Sequence, residues 1–366
     1  MEIGQIGYSG WASSFIGKYA GKRVFITGHT GFKGSWLAYL LWQIGATVRG
    51  YALAPVSVDN HFDQLKLADK IDHHVGDIRD ADNLRTAMLD FNPDYVFHLA
   101  AQALVRQSYE DPVGTFSTNV MGSVNLLEAV RACTSVRVLV YVTSDKCYEN
   151  AEWVWGYRES DALGGMDPYS SSKAAAENIF SAYQRSYFAS VPYLGAASVR
   201  AGNVIGGGDW AKDRIIPDCI RALASGLPVC LRNPLATRPW QHVLEPLSGY
   251  LMLATRLYEE SSRYAGAWNF GPSTLEIRTV QQVANTIVEH LGYGSVETEQ
   301  EDLTKHEANL LQLSCEKAHQ LLGWRPRWGI NQTLKATAEW YGNFLSGASS
   351  EEMTRRQINA FFGDAI

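Results

Sequence analysis

The chain has 366 residues, of which 46% are hydrophobic and 19% charged, so it can bury a full core and is expected to form two lobes. Its formal net charge of -6 at pH 7 is modest and is spread along the sequence without a basic stripe, which argues against nucleic acid as a partner. The cysteines stand singly, without a Cys-x-x-Cys pair, so reduced cytoplasmic thiols are expected rather than a disulfide framework or a metal site.

Residues 1–20 are predicted to form an N-terminal extension ahead of the first domain. They do not resemble a signal peptide, because Ser13, Gly17 and Lys18 interrupt the apolar stretch and no basic region precedes it. No later stretch is apolar over a length that would cross a bilayer. We therefore expect a cytoplasmic protein without a membrane partner.

From residue 22 onward, short β-branched runs alternate with helical stretches. The predicted strands are Arg23–Thr27, Thr47–Tyr51, Tyr95–Leu99 and Val138–Thr143. The predicted helices are Ser35–Ile44, Asp80–Phe91, Pro112–Ala132 and Ser171–Phe188. Repeated strand-helix units predict an α/β fold with a Rossmann-type, doubly wound parallel sheet over residues 21–199, to which the chain returns around 240–270.

A glycine-rich loop lies between the first strand and the first helix, with glycines at GxxGxxG spacing. Glycine lets the backbone approach a pyrophosphate closely, and the helix N-terminus supplies unpaired amide donors for the anion. A tight turn without a ligand is the alternative, but the strand before the loop and the helix after it favour dinucleotide binding. The predicted cofactor contacts here are Gly28, Thr30, Gly31, Phe32, Lys33 and Gly34.

The second strand lacks the acidic residue that usually binds the ribose 2'-hydroxyl of NAD. The stretch around Thr47–Ala54 contains Arg49 and no Asp or Glu. NAD is the predicted cofactor, and NADP stays open at this point. Further predicted cofactor contacts are Asp77, Ile78, Leu99, Ala100, Ala101 and Thr118.

Tyr169 and Lys173 are spaced YxxxK on a predicted helix, so their side chains share one face. Such a pair suits hydride transfer, because the ammonium lowers the pKa of the phenol and holds the nicotinamide ribose. Ser144 precedes the pair by 25 positions and ends the strand before their helix. A half-buried tyrosine above a surface lysine would be the structural alternative, but the order of elements favours the functional interpretation.

Asp145 and Lys146 follow Ser144 at the carboxyl end of the same strand, where ligands bind in an open parallel sheet. A plain dehydrogenase does not need this acid and second amine. Elimination of water does need them, one to protonate a departing hydroxyl and one to remove a carbon-bound proton. A surface ion pair that caps the strand is the alternative, and it would add little stability.

After Val199 glycine and proline become frequent, and the GGGDW segment at 206–210 is typical of a loop. We predict a smaller C-terminal substrate-binding lobe from residues 200–239 and 271–346, followed by a tail over 347–366. Its predicted helices are Thr279–Leu291, Cys315–Leu322 and Leu334–Leu345. Arg200, Arg214 and Arg238 are the candidate ligands of an anionic substrate, because guanidinium groups bind diphosphates bidentately.

Seven motifs together are similar to those of the CDP-glucose 4,6-dehydratases, a family of the extended short-chain dehydrogenase/reductase superfamily. They are GHTGFKGSW (28–36), LAAQALVR (99–106), TSDKCYEN (143–150), WGYRE (155–159), DPYSSSKAAAE (167–177), RAGNVIGGGDW (200–210) and RPWQHVLEPLSGY (238–250). The resemblance covers residue 21 to about residue 328. The SSSKA segment at 170–174 departs from the family form SNSKG, so a hydrogen bond of that asparagine is expected to be absent.

The resemblance implies an NAD-dependent, redox-neutral conversion of CDP-D-glucose to CDP-4-dehydro-6-deoxy-D-glucose. Tyr169 would take the O4 proton with the help of Ser144 and Lys173, Lys146 would remove the C5 proton, and Asp145 would protonate the C6 hydroxyl. The predicted substrate contacts are Gln102, Arg106, Asn203, Arg214, Arg238 and Gln241. The family also implies a role in deoxysugar and surface-polysaccharide biosynthesis, such as lipopolysaccharide, and a homodimer or homotetramer that pairs through Pro112–Ala132 and Ser171–Phe188.

Two alternatives share the fold. A nucleotide-sugar 4-epimerase, or a 4,6-dehydratase of another nucleotide sugar, would use the same Tyr169–Lys173 pair, but an epimerase has no use for Asp145 and Lys146. A non-catalytic NAD-binding sensor would bind the cofactor without chemistry, and the intact set of Ser144, Tyr169 and Lys173 argues against it.

Overall fold

The structure is a computed structural model that describes residues 11–273, 277–298, 310–363 and 366. The strands are β1 Arg23–Thr27, β2 Thr47–Ala52, β3 Asp72–Val75, β4 Tyr95–His98, β5 Val138–Val142, β6 Gly195–Arg200, β7 Val204–Ile205, β8 Val229–Leu231, β9 Thr237–Arg238, β10 Gln241–His242, β11 Gly266–Asn269, β12 Arg278–Thr279 and β13 Val296–Thr298. Seven of them form one parallel sheet in the order β11-β6-β5-β4-β1-β2-β3, and the others form three two-stranded pairs, β7 with β10, β9 with β12, and β8 with β13.

The α-helices are α1 Phe32–Gln43, α2 His61–Gln64, α3 Ala81–Phe91, α4 Val105–Glu110, α5 Pro112–Phe116, α6 Gly122–Ala132, α7 Pro168–Tyr183, α8 Ile215–Ala224, α9 Leu244–Glu259, α10 Ser261–Tyr264, α11 Val280–Leu291, α12 Ile330–Leu345 and α13 Ser350–Phe362. Short 3-10 turns lie at Ala12–Ser14, Ile16–Tyr19, Leu67–Asp69 and Asp145–Cys147, and π-helical turns lie at Ser117–Met121, Gln184–Phe188 and Ala318–Leu322. Within the described residues no helix is long and apolar enough to cross a membrane.

Alternate residues of the central strands pack into different hydrophobic clusters, because successive strand side chains point to opposite faces. In β1, Val24 and Ile26 belong to the cluster under α1 and α9, whereas Phe25 belongs to the cluster under α3, α6 and α7. Helices therefore cover both faces, and the predicted doubly wound Rossmann-type sheet is confirmed. A third cluster joins α8, α11 and α12 in the C-terminal part.

Helix α7 begins at Pro168, three residues earlier than the sequence predicted. The carboxylate of Asp167 caps it by accepting hydrogen bonds from the Ser170 backbone N–H at 2.9 Å and the Ser170 hydroxyl at 2.6 Å. Proline is well suited to the first helical position, where no intrahelical donor is needed. Tyr169 and Lys173 therefore both lie inside the first two turns of the helix.

Segments near both chain ends pack onto the core. The aromatic rings of Trp11 and Phe362 stack with their centroids 6.0 Å apart, and the Tyr19 hydroxyl donates to the Leu251 carbonyl at 2.7 Å. Residues 347–366, which the sequence assigned to a tail, contain α13, whose Ile358 is fully buried. The division of the chain into domains at the predicted boundaries stays a prediction.

A buried ion pair ties α7 to the sheet. The Arg200 guanidinium, at the end of β6, lies 2.8 Å from the Glu177 carboxylate, and the two side chains are 3% and 2% exposed. Ser198 donates to the same carboxylate at 2.8 Å, and the Thr143 hydroxyl donates to its other oxygen. The expectation that Arg200 binds an anionic substrate is therefore wrong, because Glu177 and the Tyr148 hydroxyl already occupy the guanidinium in the interior.

We predict that Arg200→Met destabilises the protein by about 3–5 kcal/mol, because it leaves the carboxylate of Glu177 buried without its cation. The free energy of unfolding, measured by urea denaturation, checks this. Arg356→Met is the matched control, since Arg356 pairs with Glu352 on the exposed side of α13 and its loss should change stability by less than about 1 kcal/mol. Equal effects of the two substitutions would contradict the structural role of the buried pair.

Candidate active site

The glycine-rich loop leaves no room for side chains at two of its glycines. Gly28 has φ +77, and a Cβ there would come within 2.6 Å of the Ala100 backbone nitrogen. A Cβ at Gly34 would overlap the carbonyl oxygen of Gly28. Gly31, the residue that precedes α1, has no side chain with which to cap the helix, so the first amides of α1 can bind an anion. This cradle fits the pyrophosphate of a dinucleotide.

His29 of the glycine-rich loop forms a hydrogen-bonded, neutral pair with His73. The Nε2 atom of His29 lies 2.7 Å from Nδ1 of His73, and burial lowers the pKa of His29 to about 3. The ring lies so close to β2 that a Cβ at Gly50 would overlap it. The histidine pair therefore supports the loop by packing and a hydrogen bond, without adding a charge next to the phosphate cradle.

Asp77 and Ile78, two predicted cofactor contacts, lie just beyond the carboxyl end of β3. Hydrogen bonds from Arg79 hold the pKa of Asp77 below its usual value, and Asn125 donates to the Ile78 carbonyl at 3.0 Å. These contacts fix the backbone beside the end of β2. The sheet thus brings this segment to the same edge as the glycine-rich loop.

Because β2 contains Arg49 and no acidic residue, the sequence left NADP open as the cofactor. In the structure Arg49 is paired with carboxylates. Its guanidinium donates to Asp72 at 2.6 Å and to Asp90 at 2.7 Å. The arginine is therefore occupied by two carboxylates and is not available to bind a 2'-phosphate.

The loop after β4 carries the predicted contacts Leu99, Ala100, Ala101 and Gln102. The side-chain amide of Gln102 donates to the Leu104 carbonyl at 3.0 Å and to the Thr115 hydroxyl at 2.9 Å, so the protein itself occupies the amide predicted to bind substrate. Asn119 donates both to the Gln102 carbonyl and to the Ser172 hydroxyl, each at 2.9 Å. This asparagine connects the loop to α7. Thr118, beside it, is half-buried in the π-helical turn.

Ser144 and Asp145 form the centre of the site where β5 ends. The Ser144 hydroxyl donates to Asp145 Oδ1 at 2.9 Å and accepts from the Lys146 backbone N–H at 3.3 Å. Asp145 is only 4% exposed, whereas Lys146 is half-buried. The serine thus caps the short 3-10 turn and orients the carboxyl group of its neighbour.

Tyr169 and Lys173 reach the same centre from α7, and both are buried. Burial raises the pKa of Tyr169 to about 12, although a hydrogen bond with Ser144 and the nearby Arg214 act to lower it. Burial also lowers the pKa of Lys173 to about 8, against the carboxylate of Glu177, which raises it. Desolvation of the phenolate thus outweighs its favourable neighbours in this arrangement, and the proposed role of Tyr169 as proton acceptor stays a prediction.

Lys33 extends from the glycine-rich loop toward the reaction centre. Burial, together with the cations Arg214 and Lys173, lowers the pKa of Lys33 to about 8, while the carboxylate of Asp145 acts to raise it. The Lys33 ammonium also lies 5.9 Å from the ring centroid of Tyr250. A residue predicted only as a cofactor contact is thus within electrostatic range of the proposed acid.

The sequence did not predict Tyr250 or Gly202 as parts of this site. Tyr250 is fully buried in α9, and its hydroxyl has no hydrogen-bond partner among the described residues. Nothing in the apolar pattern of α9 separates this tyrosine from core residues. Gly202 packs directly on the acid, since a Cβ there would overlap the carboxylate of Asp145.

Gln241, a predicted substrate contact, forms a hydrogen bond with the backbone of Gly202. Its Nε2 donates to the Gly202 carbonyl at 3.2 Å and to the Phe270 carbonyl at 2.9 Å. The side chain is 1% exposed, so it supports the wall of the site instead of lining an open surface. A cavity of about 10 Å³ lies between Asp145, Gly202 and Gln312.

Cationic side chains surround the outer part of the site. Arg214 lies 2.9 Å from the Asp209 carboxylate, and Arg106 lies 3.6 Å from that of Asp213, in the same segment. Asn203, just after β6, has φ +47 and accepts a hydrogen bond from the Gln241 backbone at 3.1 Å.

The pairing of β9 with β12 places Arg278 directly opposite Arg238. The sequence did not predict Arg278, because residues forty positions apart give no local sign of pairing. Two arginines held side by side favour an anionic ligand. Among the described residues, no group of three His, Cys, Asp or Glu side chains could hold a metal ion.

Comparison with known proteins gives a consistent result. The family model described as GDP-mannose 4,6 dehydratase matches residues 25–337. The CDP-glucose 4,6-dehydratase of Salmonella typhimurium is 49% identical over 347 residues, which cover 94% of this chain and 97% of that protein. The dTDP-glucose 4,6-dehydratase of Streptomyces antibioticus is 30% identical, covering 87% of this chain and 92% of that protein.

Among solved structures, the UDP-glucose 4-epimerase of Thermus thermophilus in complex with NAD superposes with a TM-score of 0.74. It is 28% identical, and the match covers 87% of this chain and 98% of that one. The similarity therefore extends over the central sheet and the C-terminal part together.

We predict that Gly202→Ala lowers kcat by about 10²–10⁴-fold, the contribution typical of a positioned acid, because the new methyl group displaces the Asp145 carboxyl. Turnover and the midpoint of thermal unfolding should be measured together. Gly17→Ala is the control, since a Cβ at Gly17 meets nothing within 4 Å and its φ is not positive. A Gly202→Ala protein with normal turnover would contradict the role of this contact.

We predict that Lys173→Met stabilises the folded protein at pH 7 by an amount on the order of 3 kcal/mol, because it removes a buried ammonium. The folded pKa of Lys173, about 8, lies below its ordinary value of 10.5, so the unfolded chain holds more protons between these values and wild-type stability rises with pH there. The advantage of the variant should therefore shrink between pH 8 and pH 10.5.

Urea denaturation at pH 7 and pH 10 measures this difference. The control is Lys335→Met, at an exposed lysine of α12 that lies 3.8 Å from Glu339. A Lys173→Met protein that is less stable than wild type at pH 7 would contradict the proposed burial penalty.

Proposed function

This chain belongs to the GDP-mannose 4,6-dehydratase family, and we propose that it is a hydro-lyase that converts CDP-D-glucose to CDP-4-dehydro-6-deoxy-D-glucose with NAD. The observation that carries the proposal is that the buried, hydrogen-bonded Ser144–Asp145 pair lies at a turn that packs against α7, the helix of the buried Tyr169. A dehydratase needs both an acid for the departing hydroxyl and a group that accepts the O4 proton. The 49% identity to a CDP-glucose 4,6-dehydratase supports this substrate.

The cradle of Gly28 and Gly34 and the first amides of α1 would hold the pyrophosphate of NAD, while Lys173 would hold its nicotinamide ribose. When bound, NAD would supply the hydride acceptor for C4 and then the hydride donor for C6. The protein's own side chains move the protons of the reaction.

We assign the proton steps to three side chains. Tyr169 receives the O4 proton, and the ketone formed at C4 acidifies C5. Lys146 removes the C5 proton and later returns it, while Asp145 protonates the C6 oxygen so that water leaves.

The outer arginines would bind the substrate's diphosphate. Arg214 lies between Asp209 and the reaction centre, and Arg238 stands opposite Arg278. Their guanidinium groups suit phosphate oxygens. Arg106 and Asn203 lie on segments that adjoin these arginines, so we include them among the proposed substrate contacts.

We also propose that the enzyme acts in the cytoplasm, in deoxysugar and surface-polysaccharide biosynthesis, as a homodimer or homotetramer. Apolar side chains along the segment from Pro112 to Ala132 support assembly: Val113 is 79% exposed and Met121 is 54% exposed. Tyr187, at the end of the neighbouring helix, is also exposed. A second copy would cover these side chains.

Incubation of the purified protein with NAD and CDP-glucose should give the alkaline ultraviolet absorbance of a 4-keto sugar, and dTDP-, UDP- and GDP-glucose should give little. Tyr169→Phe should lower turnover by about 10²–10⁴-fold while NAD still binds, because only the phenol proton acceptor is lost. Product formation from another nucleotide alone would overturn the assignment of the base. Epimerised sugar without a keto product would overturn the dehydratase.

A further inference from the structure

The structure holds the proposed acid and the proposed C5 base by different means. The Asp145 carboxyl group accepts from the Ser144 hydroxyl at 2.9 Å and packs closely on Gly202. The side chain of Lys146, by contrast, is half-buried and forms no hydrogen bond or ion pair within the described residues. The position of its amine is therefore set by the backbone of the short turn at Asp145–Cys147, here called the 145–147 turn.

The hydrogen bonds within this turn are long. The Cys147 N–H donates to the Ser144 carbonyl at 3.3 Å, and the Tyr148 N–H donates to the Asp145 carbonyl at 3.4 Å. Both distances exceed the range of about 2.7–3.2 Å that is usual for N–H···O bonds, so each bond is weak. Ser144 anchors one end of the turn, where its hydroxyl accepts from the Lys146 N–H at 3.3 Å. The other end needs an anchor of its own.

Tyr148 supplies that anchor. Its side chain is 1% exposed, and its hydroxyl donates to Asn269 Oδ1 at 2.8 Å and accepts from the Arg200 guanidinium at 2.7 Å. The guanidinium carbon of Arg200 also lies 4.9 Å from the centroid of the Tyr148 ring. Burial raises the pKa of this phenol above its usual value, so the hydroxyl stays neutral. Tyr148 therefore holds the chain and does not exchange protons with a substrate.

Asn269 fixes the direction of the hydrogen bond from Tyr148. The asparagine is fully buried at the end of β11, and its Nδ2 donates to the Tyr157 carbonyl at 2.9 Å and to the Ser314 carbonyl at 3.1 Å. Because both amide protons are used, Oδ1 faces the phenol and the phenol is the donor. The hydroxyl of Tyr148 thus joins the 145–147 turn to the segments around Tyr157 and Ser314.

The segment around Tyr157 also contacts the end of the turn directly. The rings of Tyr157 and Tyr148 stack with their centroids 5.1 Å apart. Farther along the same segment, the Gly164 N–H donates to the Cys147 carbonyl at 2.9 Å. The chain that Asn269 holds is therefore the chain against which the turn ends.

We propose that Tyr148 is a positioning residue for proton removal at C5: its hydroxyl, held between Asn269 and Arg200, fixes the 145–147 turn and so places the Lys146 amine at the substrate. The proposal rests on the proposed function, in which Lys146 removes the C5 proton. There the C5–H bond breaks as an N–H bond forms at Lys146. The electron pair left at C5 forms the C5–C6 double bond as the C6–O bond breaks, and the C6 oxygen leaves as water with a proton from Asp145.

The positioning role is specific to one step of the reaction. Oxidation at C4 uses Tyr169, which α7 carries and which does not belong to the 145–147 turn. The Asp145 side chain has its own contacts with Ser144 and Gly202. Loss of the Tyr148 hydroxyl should therefore slow the removal of the C5 proton and leave the oxidation at C4 unchanged.

The test compares Tyr148→Phe with wild type, Lys146→Met and Tyr19→Phe. Tyr148→Phe removes only the anchoring hydroxyl. Tyr19→Phe is the matched control, because Tyr19 is also fully buried and its hydroxyl donates to the Leu251 carbonyl at 2.7 Å, outside this junction. Urea denaturation of the four proteins measures how much stability each substitution removes.

The two steps are separated in a single turnover, with NAD-loaded enzyme in excess over CDP-glucose. Reduced cofactor is followed by its ultraviolet absorbance and keto product by acid quenching. Tyr148→Phe should slow product formation by about 10- to 100-fold, because a misplacement of about 1 Å can cost that much. Reduced cofactor should form at the wild-type rate and accumulate before the product, as in Lys146→Met. Tyr19→Phe should behave as wild type.

Deuterium at C5 of CDP-glucose gives a readout that a general loosening of the fold would not change. The isotope effect on turnover should be larger in Tyr148→Phe than in wild type, because proton removal becomes the slow step. KM for CDP-glucose should stay unchanged. The double variant Tyr148→Phe with Lys146→Met should lose no more turnover than Lys146→Met alone, because residues that act as a unit are not additive.

Asn269→Ala removes the acceptor from the other side of the same hydrogen bond, so the test does not depend on the folding of one variant. It should show the same accumulation of reduced cofactor. A Tyr148→Phe protein that turns over like Tyr19→Phe, or that slows C4 oxidation and product formation equally, would overturn the positioning role.

The proposed function and the positioning role fail in different ways. Wild-type protein that forms no keto product from CDP-glucose, or a Lys146→Met variant with normal turnover, would contradict the proposed function. An active wild type and an inactive Lys146→Met, together with a Tyr148→Phe variant that shows neither accumulation nor a larger isotope effect, would contradict the positioning role alone.

Discussion

The active-site geometry depends on the buried ion pair between Glu177 and Arg200. Glu177 lies one helical turn after Lys173 on α7, and Arg200 ends the strand that pairs with β5. Since Ser144 and Asp145 lie just after β5, this pair fixes the helix that carries the proposed proton acceptor against the strand that leads to the proposed acid. Buried pairs of this kind add specificity more reliably than stability, because desolvation opposes their attraction.

Three cations and the carboxyl group of Asp145 lie near one another in the site, and Glu177 and Asp209 interact with two of those cations. Arg214 and Lys173 act on Lys33 as like charges, while Asp145 offsets part of their effect. Such an arrangement is unfavourable in itself and becomes favourable when an anionic ligand arrives. Unfavourable local interactions of this kind are common in active sites, where the remaining structure compensates for them.

Much of the fold could be predicted from the sequence because it is encoded locally. The strand Arg23–Thr27 has the predicted bounds, and the YxxxK pair lies on a helix as expected. The sequence could not predict contacts between side chains that are far apart along the chain. The sequence around Arg200 does not indicate whether the guanidinium pairs with Glu177 or binds a substrate phosphate. Likewise, the sequence does not indicate that the side-chain amide of Gln102 donates to Leu104 and Thr115. Glu177 was within reach of prediction, because its spacing from Lys173 places both on one helix face.

The close contact between Gly202 and Asp145 has an evolutionary consequence. No side chain fits at position 202 while a carboxyl group occupies its present place. The two positions are therefore coupled, although 57 residues separate them in the chain. A lineage that gave up elimination could fill position 202 only after it had changed or moved the acid, whereas one that kept elimination would retain glycine there. Under the proposed role of Asp145, elimination requires the glycine at position 202 as well as the acid.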